Sequence, residues 1–178
     1  MGRRGPPQMS WCDMKHAMLF GLAGLMLSAV IAPSFAQDAG QIARIRGGAK
    51  SCAGCNLFQA DFSYLDVERA NLSKARLRQA DLSLGTFDGA NFAGADLSVS
   101  NAFGGRFTRA NFAGANLENA SFVGAYLGYS NFAGAKLTGA NFSGAEMVGA
   151  RGLSQNQLNT ACGDAQTLLP RGLSIPRC

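Results

Sequence analysis

One histidine, His16, stands in the whole chain, and Asp and Glu together number only eleven. His16 lies in the N-terminal segment that reads as a cleaved signal, so the mature chain is expected to have no imidazole for a Ser-His-Asp or Cys-His arrangement or for a His-built metal centre. Carboxylates offer no substitute. Asp61, Asp66, Asp81 and Asp96 recur at one register position, filled elsewhere by Asn, and read as solvated side chains bonding to turns rather than as a paired acid and base. A βαβ pattern and a phosphate-binding glycine loop are missing too. The chain is expected not to be an enzyme, and to carry no cofactor and no metal.

What the sequence has is regularity. From Leu57 to Met147 every fifth residue is a large apolar one: eight Leu, eight Phe, Val67 and Met147, with Ala102 as the single exception. Two places before these nineteen centres stand thirteen Ala, two Gly, two Ser, Cys55 and Leu65. Neither the 3.6-residue helix period nor the two-residue strand period keeps a five-residue repeat on one side. The period therefore belongs to a solenoid of short units that lean on their neighbours.

A second period lies over the first. Asn-Phe-Ala-Gly-Ala recurs unchanged at 91–95, 111–115 and 131–135, twenty residues apart. Sorting the centres by twenties gives four columns, such as Leu57, Leu77, Leu97, Leu117 and Leu137, or Leu72, Phe92, Phe112 and Phe132. Four five-residue sides per coil is the simplest reading.

Ala80-Asp81-Leu82, Ala90-Asn91-Phe92, Ala110-Asn111-Phe112 and Ala140-Asn141-Phe142 resemble the unit A-(D/N)-L-X-X of the pentapeptide repeat proteins. The resemblance runs over about 95 residues without an insertion. It implies an all-β fold, the right-handed quadrilateral β-helix, with the centre and the preceding small residue pointing inward. A narrow shaft explains that alphabet, since large centres fit only where the other inward position is small. Ala102 then truncates its column between Leu82 and Phe122, and a small void or a bulge is expected there, with Phe103 facing outward. Gly94, Gly114, Gly134 and Gly144 share one repeat position and are expected at tight corners.

Ahead of the repeats, Arg3, Arg4 and Lys15 precede the uncharged apolar run 17–32, and Ser34-Phe35-Ala36 follows it. This pattern predicts a signal peptide, residues 1–36, cleaved after Ala36, and so a periplasmic or secreted protein with no stable membrane span after cleavage. Retention of the run as an anchor is the alternative. Four cysteines remain after cleavage: Cys52, Cys55, Cys162 and Cys178. Nineteen units at four per coil make a stack roughly 23 Å tall, while bridged Cα atoms lie within about 7 Å. Pairing between the two ends is thereby excluded, which leaves Cys52 with Cys55 and Cys162 with Cys178. Secreted proteins of the family type show a similar Cys-x-x-Cys before the first unit, which implies a structural disulfide rather than a redox pair.

A solenoid must cover its exposed ends. The domain plan is therefore a signal peptide at 1–36, an N-terminal cap at 37–54, the β-helix at 55–150, and a C-terminal cap and tail at 151–178. Residues 41–49 are expected to form a short turn or strand over the first coil. Ser154 is the expected N-cap of a short helix over 155–162, ended by Gly163. Leu153, Leu158, Leu168 and Leu169 would cover the last coil, and 170–178 would return as an extended tail pinned to Cys162.

For function, the expectation is a non-catalytic exported structural or protein-interaction module whose partner is an unidentified protein of the envelope or exterior. Tyr64 near Leu84, Phe103 near Val123, and Tyr126 with Tyr129 are the outward aromatic residues able to carry such an interface. The family resemblance raises an alternative, a DNA-mimicking modulator of gyrase. Charge opposes it: after residues 1–36 leave, thirteen Lys and Arg face ten Asp and Glu, and a DNA mimic needs the opposite sign. Nucleic acid is not an expected partner either. A third reading is an anionic envelope polymer held by a basic patch around Arg76 and Arg78, close in sequence to Arg69 and Lys74. Some relatives dimerise end to end, a route that a pinned tail would obstruct, so a monomer or weak dimer is expected.

Overall fold

The computed structural model describes residues 37–178; the apolar run 17–32 and the cleavage position after Ala36 lie outside the described residues. From Ser51 onward, parallel bridges join each register residue to the one twenty places later: Ser51 to Asn71, Asn56 to Arg76, Asp61 to Asp81, Asp66 to Thr86, and so on to Asn131 with Arg151. A bridge every five residues and a return every twenty make a four-sided coil. We number its walls from the first coil: wall I holds 51–55, wall II 56–60, wall III 61–65 and wall IV 66–70, each repeated at intervals of twenty. The ladder already starts inside the segment expected to precede the repeats.

Each side ends in a turn. Ala95 N–H donates to the Phe92 carbonyl at 2.9 Å, and the next side begins. The residue before that donor has positive φ, which glycine adopts without strain, as at Gly94 (65°) and Gly114 (66°). Ten non-glycine residues hold the same conformation, among them Leu84, Val99 and Tyr129. What keeps them there is the coil above: Leu84 N–H donates to Phe103 O at 2.9 Å, and Tyr129 N–H to Val148 O at 3.0 Å. The polar register residue supports the turn from within the side. Asn91 Oδ1 accepts from Ala93 N at 3.1 Å, and Asp81 Oδ1 from Ser83 N at 2.9 Å. On wall I the same side chains also form a ladder, Asn91 to Asn71, Asn111 to Asn91 and Asn131 to Asn111.

All nineteen centres are buried, Ala102 included. Phe92, Phe112 and Phe132 stack with centroids 5.2 Å apart and nearly parallel rings, and Phe87 stacks on Phe107 at 5.2 Å. Ring spacing follows the coil rise of about 4.8 Å, so each offset stack is set by the backbone ladder. No bulge forms at Ala102: the bridges Asp81 to Asn101 and Asn101 to Ser121 run through without a shift. The expected bulge is absent because every amide of that side is already bonded in register: Asn101 N to Ala80 O, Ala102 N to Ser121 O, Phe103 N to Asn101 Oδ1, Gly104 N to Val123 O and Gly105 N to Ala102 O. Phe122 sits edge-on to Phe107 and Phe112 at 5.6 and 5.8 Å instead, and the buried Ser100 hydroxyl beside Ala102 has no hydrogen-bond partner.

Small and large inward residues trade volume across a corner. Glycine replaces alanine only at 85 and 105, two places before Phe87 and Phe107. A Cβ at Gly85 would lie 2.6 Å from Phe87 Cε2, and one at Gly105 would lie 2.7 Å from Phe107 Cε2. Before the smaller Val67, the same position carries Leu65.

The ends differ from expectation. Residues 41–49 form no strand; Ala39–Arg46 is a helix, α1, because Asp38 caps it, accepting from Gln41 N at 3.0 Å. The helix then buries Ile45 in the core, with Ile42 packed partly against it. At the other end Ser154 caps α2, Gln155–Leu158, with a capping box through Gln157. This helix is shorter than the expected 155–162. Thr160 and Cys162 return to the ladder, Gly139 N donating to Thr160 O at 2.7 Å and Phe142 N to Cys162 O at 2.8 Å. Leu158 is buried, and Leu153 and Leu169 pack partly on the core, but Leu168 is 52% exposed. Its backbone pairs with Glu146, which turns its side chain outward; Leu173 and Ile175 pack partly on the core as well. Polar side chains donate to carbonyls of the last coil, Gln157 Nε2 to Phe132 O and Ala135 O, and Thr167 Oγ1 to Phe142 O.

Candidate interaction surface

The four walls present different chemistry although the interior repeats. Wall I shows its Asn ladder between corners of Ala and Gly, as at 93–94, 113–114 and 133–134. Wall II carries Arg76, whose guanidinium carbon lies 5.3 Å from the centroid of the Phe58 ring, with Arg78 and Gln79 beside them around an open depression. Wall III shows Asp, Asn and Ser at its register position. Wall IV and its two corners collect the rest.

Of the eight exposed large hydrophobic side chains among the described residues, seven border wall IV, Leu168 through its bridge to Glu146. Tyr64 (77% exposed) and Leu84 (45%) stand at the III–IV corner with Phe103 (50%). Tyr126 stands on the wall itself, and Tyr129 and Val148 at its far corner. Direct backbone bonds link several of these levels: Leu84 to Phe103, Gly104 to Val123, Tyr129 to Val148. Gly104 leaves room for Leu84, whose Cδ2 lies only 2.8 Å from where a Cβ would stand. In the same way the Tyr129 ring lies over Gly149. Leu84 and Val148, not singled out from the sequence as site residues, belong to this surface; the twenty-residue stride was the signal for them.

Within the belt lies a polar centre. Arg106 Nη2 reaches Asp88 Oδ2 at 2.8 Å, while Asp88 Oδ1 accepts from Thr108 N at 2.8 Å. The hydrogen bond and charge of Asp88 together hold the Arg106 guanidinium more firmly protonated than usual. Arg69 and Arg109 flank Gly89 around a depression of about 200 Å³ shared with Glu68 and Thr108. Tyr and Arg beside a satisfied ion pair is the composition that carries binding energy at protein interfaces.

The basic run of the sequence does not make a patch. Arg69 stands at the IV–I corner, Lys74 at the I–II corner and Arg78 at the II–III corner, because five residues are a quarter of the coil. Only Arg76 and Arg78 share a wall. The cysteines expected to pair are at bonding distance: Cys52 with Cys55, Cα atoms 5.3 Å apart, and Cys162 with Cys178, 4.8 Å apart. The first pair is buried at the turn that opens wall I, with Arg44 Nη2 4.0 Å from Cys52 Sγ. No cluster of His, Cys, Asp or Glu suited to a metal exists among the described residues, and no described helix is long and apolar enough to cross a membrane.

Residues 51–85, 68–101 and 105–144 match the family model for pentapeptide repeats, in eight copies. Among solved structures, the chain is similar to a pentapeptide repeat protein (Rfr23) of the cyanobacterium Cyanothece 51142, at 27% identity over 73% of this chain and 97% of that one, with a TM-score of 0.36. A pentapeptide repeat protein of the Arabidopsis thaliana thylakoid lumen is 35% identical over 51% of this chain and 67% of its own, TM-score 0.29. QnrB1, a plasmid-mediated fluoroquinolone resistance protein, is 17% identical over 70% and 81%, TM-score 0.41. No curated protein matches.

Proposed function

Because the chain belongs to the pentapeptide repeat family, we propose that it is a non-catalytic interaction module which binds a protein partner through wall IV. The observation that carries this reading is the gathering of seven of the eight exposed large hydrophobic side chains along that wall. Such residues scattered singly mean nothing, but an apolar belt around an Arg–Asp pair is a surface with a use. Export supports the setting: the charged start, the apolar run 17–32 and Ser34-Phe35-Ala36 are read as a signal cleaved after Ala36, and two disulfides suit an oxidising compartment. Residues 37–50 and 151–178 are read as end caps that keep the ladder from pairing with other chains.

The test is affinity capture from the envelope fraction of the exporting cell, with the protein itself as bait. A protein retained by the wild type and by Val99→Glu, but lost with Tyr126→Ser combined with Tyr129→Ser, supports wall IV. Retention by the double variant at wild-type level overturns it. Inhibition of purified gyrase by the protein would overturn the exported-module reading altogether, and sequencing the N-terminus of the secreted form should begin at Gln37.

A further inference from the structure

Four consecutive coils each place one apolar side chain at the III–IV corner: Tyr64, Leu84, Phe103 and Val123. The row stops there, since the next coil has Ser143 and Gly144. Its midpoint lies between the levels of Leu84 and Phe103. Wall III beside it carries no Lys or Arg of its own, only Asp61, Asp81, Asn101, Ser121 and Asn141 at its register position, and Arg46 of α1 reaches its first level, held by Asp61.

We propose that two copies of this chain associate side by side and antiparallel through this edge and wall IV, about a two-fold axis between the Leu84 and Phe103 levels. The inference rests on wall IV being an interaction surface and names a second copy as its occupant. An isologous contact requires the surface to complement itself, and here it does. The axis sets Leu84 against Phe103 of the second copy and Tyr64 against its Val123, each pair occurring twice. Across wall IV it sets Asp66 against Tyr126, Thr86 against Arg106, Arg69 against Tyr129, and Gly89, which has no side chain to intrude, against Arg109. No level opposes like charges.

Other registers fail on charge or contact. Moving the axis to the Phe103 level puts Arg106 and Arg109 against their own copies. Moving it to the Leu84 level puts Asp88 against Asp88 and leaves Val123 with no apolar partner. A parallel pair, with the axis along the solenoid through the middle of wall IV, reverses the order across the wall, so Arg106 meets Arg109 of the second copy and the III–IV row meets the opposite corner instead of itself. Like charges so placed are strongly unfavourable. Both copies share the same coil rise, so the contacts repeat at the same step and one register satisfies all four levels. Four coils make a patch roughly 19 Å tall, at the small end of specific interfaces, so the association is weak, in the range of ~10–500 µM.

Sedimentation equilibrium of the purified protein over that concentration range tests the proposal. The average mass should rise from that of one chain toward twice it. Leu84→Glu and Phe103→Lys should each remain monomeric. Their equimolar mixture should dimerise again, because the carboxylate introduced at position 84 then meets the ammonium introduced at position 103, while the other Leu84–Phe103 pair stays intact. Val99→Lys, an exposed apolar position off this edge, should dimerise as the wild type does. Both sites are about half exposed, so thermal melting should be unchanged; if a charged variant melts early, Leu84→Gly, which suits the positive φ there, should weaken the dimer at least tenfold. A wild type monomeric throughout, a dimer that survives both single variants, or a mixture that stays monomeric overturns the inference. Envelope capture reads the other question separately: a monomeric wild type that still retains a partner through Tyr126 and Tyr129 sinks self-association and leaves the interaction module standing.

Discussion

Gly105→Ala is the sharpest test of how this core is built. At an ordinary φ a Gly→Ala change stabilises by about 0.4–1 kcal/mol, because alanine restricts the unfolded chain. Gly105 is outside the positive-φ set, so the backbone raises no objection. The side chain does. Its Cβ would stand 2.7 Å from Phe107 Cε2, 3.1 Å from Leu82 O and 3.3 Å from Ala102 O. The ring has nowhere to go, held against Phe87 at 5.2 Å, Phe122 at 5.6 Å and Phe112 at 5.8 Å. The two carbonyls are fixed as well, Leu82 O and Ala102 O each accepting a turn bond. Overpacking of this kind costs about 1–3 kcal/mol, so the net change is a loss of roughly 1–2 kcal/mol, or a fall in Tm of about 3–7 °C. In a Phe107→Leu background the ring edge is gone and only the two carbonyl approaches remain, so the same alanine should cost markedly less, a coupling of about 1 kcal/mol in the double-mutant cycle. A Gly105→Ala protein that melts at or above the wild type, or that loses equal stability in both backgrounds, would refute the reasoning.

Three further outcomes are expected. Val99→Gly should leave Tm unchanged or raise it: a β-branched residue in the left-handed region carries about 1–2 kcal/mol of strain, which outweighs the roughly 0.5–1 kcal/mol that glycine loses in chain entropy. Phe112→Ala, which breaks the Phe92–Phe132 stack, should cost about 3–5 kcal/mol by chemical denaturation, whereas Phe103→Ala, half exposed, should cost little. Asp164 is held below the ordinary carboxylate range, chiefly by the Gly144 N–H and then by Gln166 and Thr167. Its contribution is therefore complete above the unfolded value near 4 and is lost as pH falls through the lower folded value; amide shifts of Gly144 and Gln166 followed from about pH 5 to about pH 2 should titrate together, and flat profiles would count against it.

The interior was legible in the sequence because only one arrangement gives a strict five-residue and a strict twenty-residue repeat together. Burial of every centre from Leu57 to Met147 follows from that arithmetic, as does the stacking of Phe92, Phe112 and Phe132. Local trades were less legible. Gly85 and Gly105 look like ordinary small residues until the Phe87 and Phe107 rings are seen to fill the space of a missing Cβ. Non-glycine residues at positive φ were equally hidden, since the restraint on Val99 or Leu84 comes from a carbonyl on the next coil. The ends escaped for a different reason. Helix α1 is eight residues long, with no period to betray it, and only Asp38 before Ile42 and Ile45 marked its start. Leu168 was misjudged because the tail re-enters the ladder out of step: Glu146 pairs with Leu168, not with a residue twenty places on.

Surface chemistry in such a fold has to be read by column. A run of neighbours in sequence is carried around the perimeter, a quarter-turn per five residues, so Arg69, Lys74 and Arg78 end on three corners and cannot grip one polymer together. Residues far apart in sequence but congruent by twenty share a corner, as Leu84 and Gly104 do. The interior positions are committed to the shaft and the register position to the turn, which leaves the two corner residues of each side as the freest carriers of specificity. Eighteen of the nineteen centres keep the core code through a wall whose corners range from Glu68 and Arg69 to Val148 and Gly149, while wall I repeats Ala-Gly at three of its corners. A scaffold with no partner has no reason to gather its exposed apolar side chains on one wall, and mutating that wall should change binding without changing the melt.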